Sequence, residues 1–153
     1  MPKKKLIISG IVLLCVILLG FMIFDHVNFK VDEYLEETDK IHHNINKSIL
    51  EKIEHGNHQF DLNIMDQGIK EVKASIQDLK SLKPPLFSDA SQHHDFMVEH
   101  YETYISLIDQ YRSELKREKP GNFENITKAL KENQKKEATL KELRDELYRT
   151  IQQ

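Results

Sequence analysis

The sequence predicts an all-α protein: an N-terminal transmembrane helix followed by an antiparallel four-helix bundle. Three observations carry this expectation. Residues 6 to 24, from Leu6 to Phe24, run for nineteen positions without a charge, directly after Lys3-Lys4-Lys5. Beyond Phe24, apolar residues recur at steps of three and four along four successive segments, the spacing that lines one face of a helix. Breakers separate those segments at Gly56-Asn57, Pro84-Pro85 and Pro120-Gly121. The composition agrees: 31% of residues are charged, Trp is absent, and only five Gly and four Pro occur in 153 residues. The expected division is a cytoplasmic tail over 1–5, a transmembrane helix over 6–24 and an extracytoplasmic helical bundle over 25–153.

Fourteen of the nineteen residues in the apolar run are Leu, Ile, Val or Phe. At about 1.5 Å per residue the run spans roughly 28 Å, close to the hydrocarbon thickness of a bilayer. Those fourteen side chains favour insertion by roughly 4–8 kcal/mol before the cost of Ser9 and the two glycines. The run is apolar all round, which separates it from a striped core helix. Three lysines precede it and Asp25 follows it, so the chain is expected to be a single-pass signal-anchor protein of the cell membrane with its N-terminus inside. Phe21–Phe24 leads into Asp25-His26 without the small residues of a cleavage site, so the anchor is expected to be retained. Cys15 is the only cysteine. Bacterial lipoprotein signals place small residues before the modified cysteine, whereas Leu13-Leu14 stands here. Cys15 therefore reads as a small hydrophobe, with lipidation as the competing reading.

The first outer helix is expected from Val27 to His55, with its stripe at Val27, Val31, Tyr34, Thr38, Ile41, Ile45, Ile49 and Ile53. No Pro or Gly separates it from the apolar run, so anchor and helix are expected to be continuous. Gly56-Asn57 is expected to cap its end, and its extra length to leave a stalk above the membrane. The second helix, Asp61–Leu82, carries Leu62, Met65, Ile69, Val72, Ile76, Leu79 and Leu82. Gly68 inside it should cost about 1 kcal/mol relative to Ala. Pro84-Pro85 ends it. The third begins at Ser88 or Asp89, either of which can cap it, and carries Ala90, His94, Met97, Tyr101, Tyr104, Ile108, Tyr111 and Leu115. The fourth, Phe123–Ile151, is interrupted at Lys131–Glu137, where it meets either solvent or a polar layer. Up-down-up-down connection follows from the short breaks; a long coiled coil is the architecture those breaks oppose.

Charge is uneven. Residues 25–111 hold 8 basic and 17 acidic side chains, and residues 112–153 hold 11 basic and 8 acidic ones. Either the last helix complements the first three, or an acidic face awaits a cationic partner. No dense basic run with interleaved aromatics exists, so nucleic acid is not expected as a partner.

Histidine is the conspicuous residue, with eight in the chain. His55-x-x-His58 is the candidate metal site, a loop site straddling Gly56. The Glu-x-x-His pairs of di-metal bundles are missing, and Asp39-x-x-His42 alone comes close. His94 occupies a stripe position, where it is either a hydrogen-bonded core residue or a pH sensor. Tyr101, Tyr104 and Tyr111 share its face; they form either core or the lining of a small-ligand pocket with His94. No outer cysteine, glycine-rich phosphate loop or Gly-x-Ser-x-Gly elbow is present, so neither catalysis nor a cofactor is expected.

The segment Ile76-Gln-Asp-Leu79-Lys-Ser-Leu82-Lys-Pro84-Pro85, followed by His94 and Tyr101–Tyr104, resembles a pattern in uncharacterised small membrane-anchored or lipid-modified helical envelope proteins of Gram-positive bacteria. The resemblance covers about 35 residues and implies a location and a fold, not an activity. The function expected is binding or scaffolding at the cell envelope, with the lipid bilayer and another membrane or envelope protein as partners. The alternative is a ligand- or metal-binding sensor-like module that reports through a membrane partner.

Overall fold

The structure, a computed structural model, describes residues 2–59, 61–86, 88–117 and 121–152, and for residues 2–13 the backbone alone. Among the described residues there are four long helical rods and no strand. The first rod joins α1 (Pro2–Ser48), a π-helical turn over Ile49–Glu54 and α2 (His55–Gln59). It is followed by α3 (Leu62–Ser81), α4 (Ala90–Leu115) and α5 (Phe123–Ile151). The expected break at Pro120 and the side chain of Leu6 lie outside the described residues.

The apolar run is a candidate membrane span by length and composition. Its described side chains, Leu14 to Phe24, are exposed, as Phe21 at 65% exposure illustrates. A core helix of this composition would bury them instead. α1 then continues without a break through Asp25-His26 into the packed region. Packing starts at once: Val27 already lies against the cluster of Val31, Tyr34, Leu35, Ala90 and Leu147. Three residues of helix, about 4.5 Å, separate Phe24 from that contact, so the expected stalk is not there.

A second, larger cluster fills the far end. Ile45 and Ile53 of the first rod meet Met65, Val72 and Leu79 of α3 and Met97, Tyr101 and Ile108 of α4. The π turn explains how Ile41, Ile45, Ile49 and Ile53 all reach this cluster. Three consecutive four-residue steps in an α-helix would drift by about 120°. A π turn adds a residue to the helical circuit and absorbs part of that drift.

Gly56 does not stop the helix. It is buried inside α2, and a Cβ there would stand 2.8 Å from Met65 N and 2.9 Å from Asp61 O. Its role is close approach, which lets the chain turn back immediately after Gln59. Asp61 then caps α3, its carboxylate accepting from the Asn63 and Ile64 amides at 2.9 and 3.2 Å. α3 ends at Ser81, and Leu82 is extended ahead of the prolines. At α4 it is Ser88, not Asp89, whose side chain accepts an amide, that of Ala90 at 3.4 Å.

Ion pairs stitch neighbouring helices. Asp66–Arg112, Lys73–Asp109 and Lys80–Glu102 join α3 to α4; Glu99–Lys136 joins α4 to α5; Asp39–Arg144 joins α1 to α5. Two basic residues of α5 thus meet acidic residues of α1 and α4, the complementation that the charge asymmetry allowed.

Candidate functional site

Of the polar residues that enter the core, all but Glu114 at the end of α4 gather where α1, α4 and α5 meet. α4 brings them because it buries two stripes. One is the series from Ala90 through His94, Met97 and Tyr101 to Ile108. The other runs His93, Met97, His100, Tyr104, again at steps of four, three and four. A helix packed on more than one neighbour buries this wider face.

Two tyrosine–histidine pairs link α1 to α4. Tyr34 Oη lies 3.3 Å from His93 Nδ1 and 3.5 Å from the Ala90 carbonyl. The reciprocal pair joins Tyr101 Oη to His42 Nδ1. Asn46, one turn beyond His42, closes a ring. One proton assignment satisfies every member: Asn46 Nδ2–H donates to His42 Nε2 (3.0 Å), His42 Nδ1–H donates to the Tyr101 hydroxyl, and Tyr101 Oη–H donates to Asn46 Oδ1 (3.4 Å). It requires a neutral imidazole, because a proton on Nε2 would face the Asn46 amide donor. Burial also pushes the His42 pKa down, against the pull of the Glu137 and Asp39 carboxylates. His93 is displaced further, to about 4, chiefly by burial. Burial likewise pushes the Tyr34 and Tyr101 hydroxyls up, so both stay protonated.

Beside these pairs a half-open cleft of about 440 Å³ lies between α1, α4 and α5. Asp39, His42, His93, Glu137, Lys141 and Arg144 supply its polar wall, and Met97 and Leu140 its apolar one. Asp39 anchors the wall, accepting from Arg144 Nη1 at 3.2 Å and from Tyr148 Oη at 3.0 Å. Arg144 Nε is buried and has no protein partner. Glu137 sits 3.6 Å from His100 Nε2, and that contact is the main reason its pKa falls. Within the interrupted part of α5 Asn133 is buried and donates to the His100 carbonyl at 3.2 Å, while Lys131, Glu132, Gln134, Lys135 and Glu137 are exposed, so the interruption is solvated apart from one buried amide. With both signs of charge and neutral imidazoles on its wall, the cleft suits a small polar ligand better than a bare ion.

The sequence candidates fall largely beside this cleft. Tyr101 and Tyr104 are buried in the larger core cluster, and Tyr111 packs edge-on against Phe123 at 5.1 Å. His94 is buried against the Tyr34 ring, its Nδ1 without a partner, and burial lowers its pKa. None of these four lines the cleft; His93 and Met97 are the α4 residues that do. His55 and His58 are exposed on α2, and among the described residues no group of three or more His, Cys, Asp or Glu is placed to hold a metal ion. Sequence reasoning missed His93 by following one stripe of α4; the parallel series at His93, Met97, His100 and Tyr104 was the signal.

Comparison with protein-family models, with curated proteins and with solved structures returned no match. The functional reading therefore rests on the chain's own residues.

Proposed function

We propose that this chain is a single-pass membrane-anchored protein whose residues 25–153 form an extracytoplasmic antiparallel four-helix bundle acting by binding or scaffolding at the cell envelope, without catalysis. The observation that carries the reading is the exposed apolar helix that runs unbroken into the packed region. Lys3-Lys4-Lys5 before the run and Asp25 after it favour the orientation with the N-terminus inside. The cross-helix pairs support antiparallel packing: partners rise along one helix as they fall along the next, from Asp66–Arg112 to Lys80–Glu102. The two Tyr–His pairs rise together, as diagonal helices of such a bundle do.

The test is labelling of intact cells with a membrane-impermeant maleimide, in a Cys15→Ser background carrying Lys128→Cys on exposed α5. Labelling without lysis is the expected result; labelling only after lysis would reverse the topology. In-cell crosslinking then identifies the partner. A second reading, a ligand-binding module reporting through a membrane partner, is favoured by the cleft and by the unpartnered Arg144 Nε. A thermal-shift screen with Zn, Cu, small aromatics and small carboxylates separates it, and no shift with any of them would count against it.

A further inference from the structure

The turn between α3 and α4 lies against the apolar run itself. Pro84, Pro85 and Leu86 face Leu19, Met22 and Ile23 across an open apolar groove of about 760 Å³, with His26 and Lys30 at its rim. Leu19 stands five residues before the end of the run, about 7.5 Å deeper along the helix than Phe24. If the run occupies the bilayer, as the proposed function holds, the floor of this groove lies below the membrane surface and water does not fill it.

We propose that the Pro84–Leu86 turn is a second membrane contact and that the groove beneath it holds lipid acyl chains of the outer leaflet. The turn is built for that environment. Leu86 is 76% exposed, the most exposed large hydrophobic side chain among the described residues. Pro84 and Pro85 carry no backbone N–H, so two donors that would need water are missing from the turn. The Pro85 carbonyl is satisfied internally, accepting from Ser88 Oγ at 2.8 Å. Phe24 and Phe29 on α1, on either side of the first packed residue Val27, are also exposed, and Lys30 at the rim sits where lipid phosphates would be. The contact would fix the tilt of the packed helices on the membrane by two points instead of one.

The chain contains no Trp, so single-Trp variants report one site each. Leu14→Trp, Leu86→Trp and Leu50→Trp would be placed in the full chain and reconstituted into phosphatidylcholine–phosphatidylglycerol vesicles with or without acyl-brominated lipid. Leu50 is exposed at the far end of the first rod and serves as the water reference. Blue-shifted emission and loss of most fluorescence to the brominated lipid are expected at Leu14→Trp and at Leu86→Trp, with neither at Leu50→Trp. Quenching at Leu14→Trp but not at Leu86→Trp would overturn this inference and leave the anchor standing, whether the Leu86→Trp emission is red-shifted by water or blue-shifted by a protein neighbour. Absence of quenching at both sites would overturn the inference and the anchored reading together.

Discussion

His93 should make the protein measurably acid-labile. Its imidazole is buried at the α1–α4 contact with a folded pKa of about 4, against an ordinary value of about 6.5 in the unfolded chain. A histidine held neutral by burial contributes stability that is present above the unfolded value and lost as pH falls toward the folded one. The full loss corresponds to about 3 kcal/mol below pH 4, and between pH 7.5 and pH 5 to about 2 kcal/mol. His93→Phe keeps a ring against Tyr34 and removes the titration, at the expense of about 1 kcal/mol for the hydrogen bond to the Tyr34 hydroxyl. The wild type is therefore expected to be the more stable by about 1 kcal/mol at pH 7.5 and the less stable by a similar amount at pH 5. Urea unfolding of both proteins in detergent micelles, followed by far-ultraviolet circular dichroism at the two pH values, measures the swing. His42 and His94, also lowered by burial, are present in both proteins and cancel. Parallel profiles, with a swing below about 0.5 kcal/mol, would refute the assignment of His93 as a buried neutral group.

Two further substitutions read the packing. Gly68→Ala should destabilise by about 1–3 kcal/mol instead of gaining the helix propensity of Ala, because its Cβ would lie 2.8 Å from Ile53 Cγ1 and from Lys52 Cβ; a raised thermal midpoint would show that the first rod yields at that crossing. Tyr101→Phe should cost about 1–3 kcal/mol, since it leaves the His42 Nδ1–H and Asn46 Oδ1 without their partner, while Tyr104→Phe, whose hydroxyl closes no such ring, should cost less; equal midpoints for the two variants in thermal melts would count against the closed ring.

The helices were legible from the sequence because their signals are local. The stripe through Leu62, Ile69 and Ile76 and the Pro84-Pro85 stop act within a few residues of themselves, and α3 forms where they predict. Gly56 and His93 were not legible for a different reason. A glycine after a helical stripe reads as a terminator until the segment it touches is known, and here that segment is Asp61–Met65, folded back onto it. His93 sits one residue off the cleanest stripe, and its burial depends on Tyr34, fifty-nine residues away. The polar cleft has the same character. Asp39, Lys141 and Arg144 are unremarkable surface charges along their own helices and become a site only when α5 packs beside α1.

The run of four-residue steps at Ile41, Ile45, Ile49 and Ile53 was visible in the sequence, and it carries a consequence that can be tested by deletion. A π turn is equivalent to one residue inserted into an α-helix, with the flanking turns left in register. Removing Leu50, exposed at 65% within the π segment, should let the turn revert to α geometry. Ile45, Ile49 and the shifted Ile53 would then follow steps of four and three, and all would still face the core. Removing Asn44, also exposed but within regular α1, has no extra residue to give up. It would rotate everything on one side of it by about 100° and carry Ile41 or Ile45 off the core, a loss of several kcal/mol by the usual cost of core disruption. Thermal melts of the two deletion variants should therefore diverge sharply, with Leu50 deletion close to wild type. If both deletions unfold the protein alike, the widened turn is not an inserted residue, and the common face of the four isoleucines needs another cause.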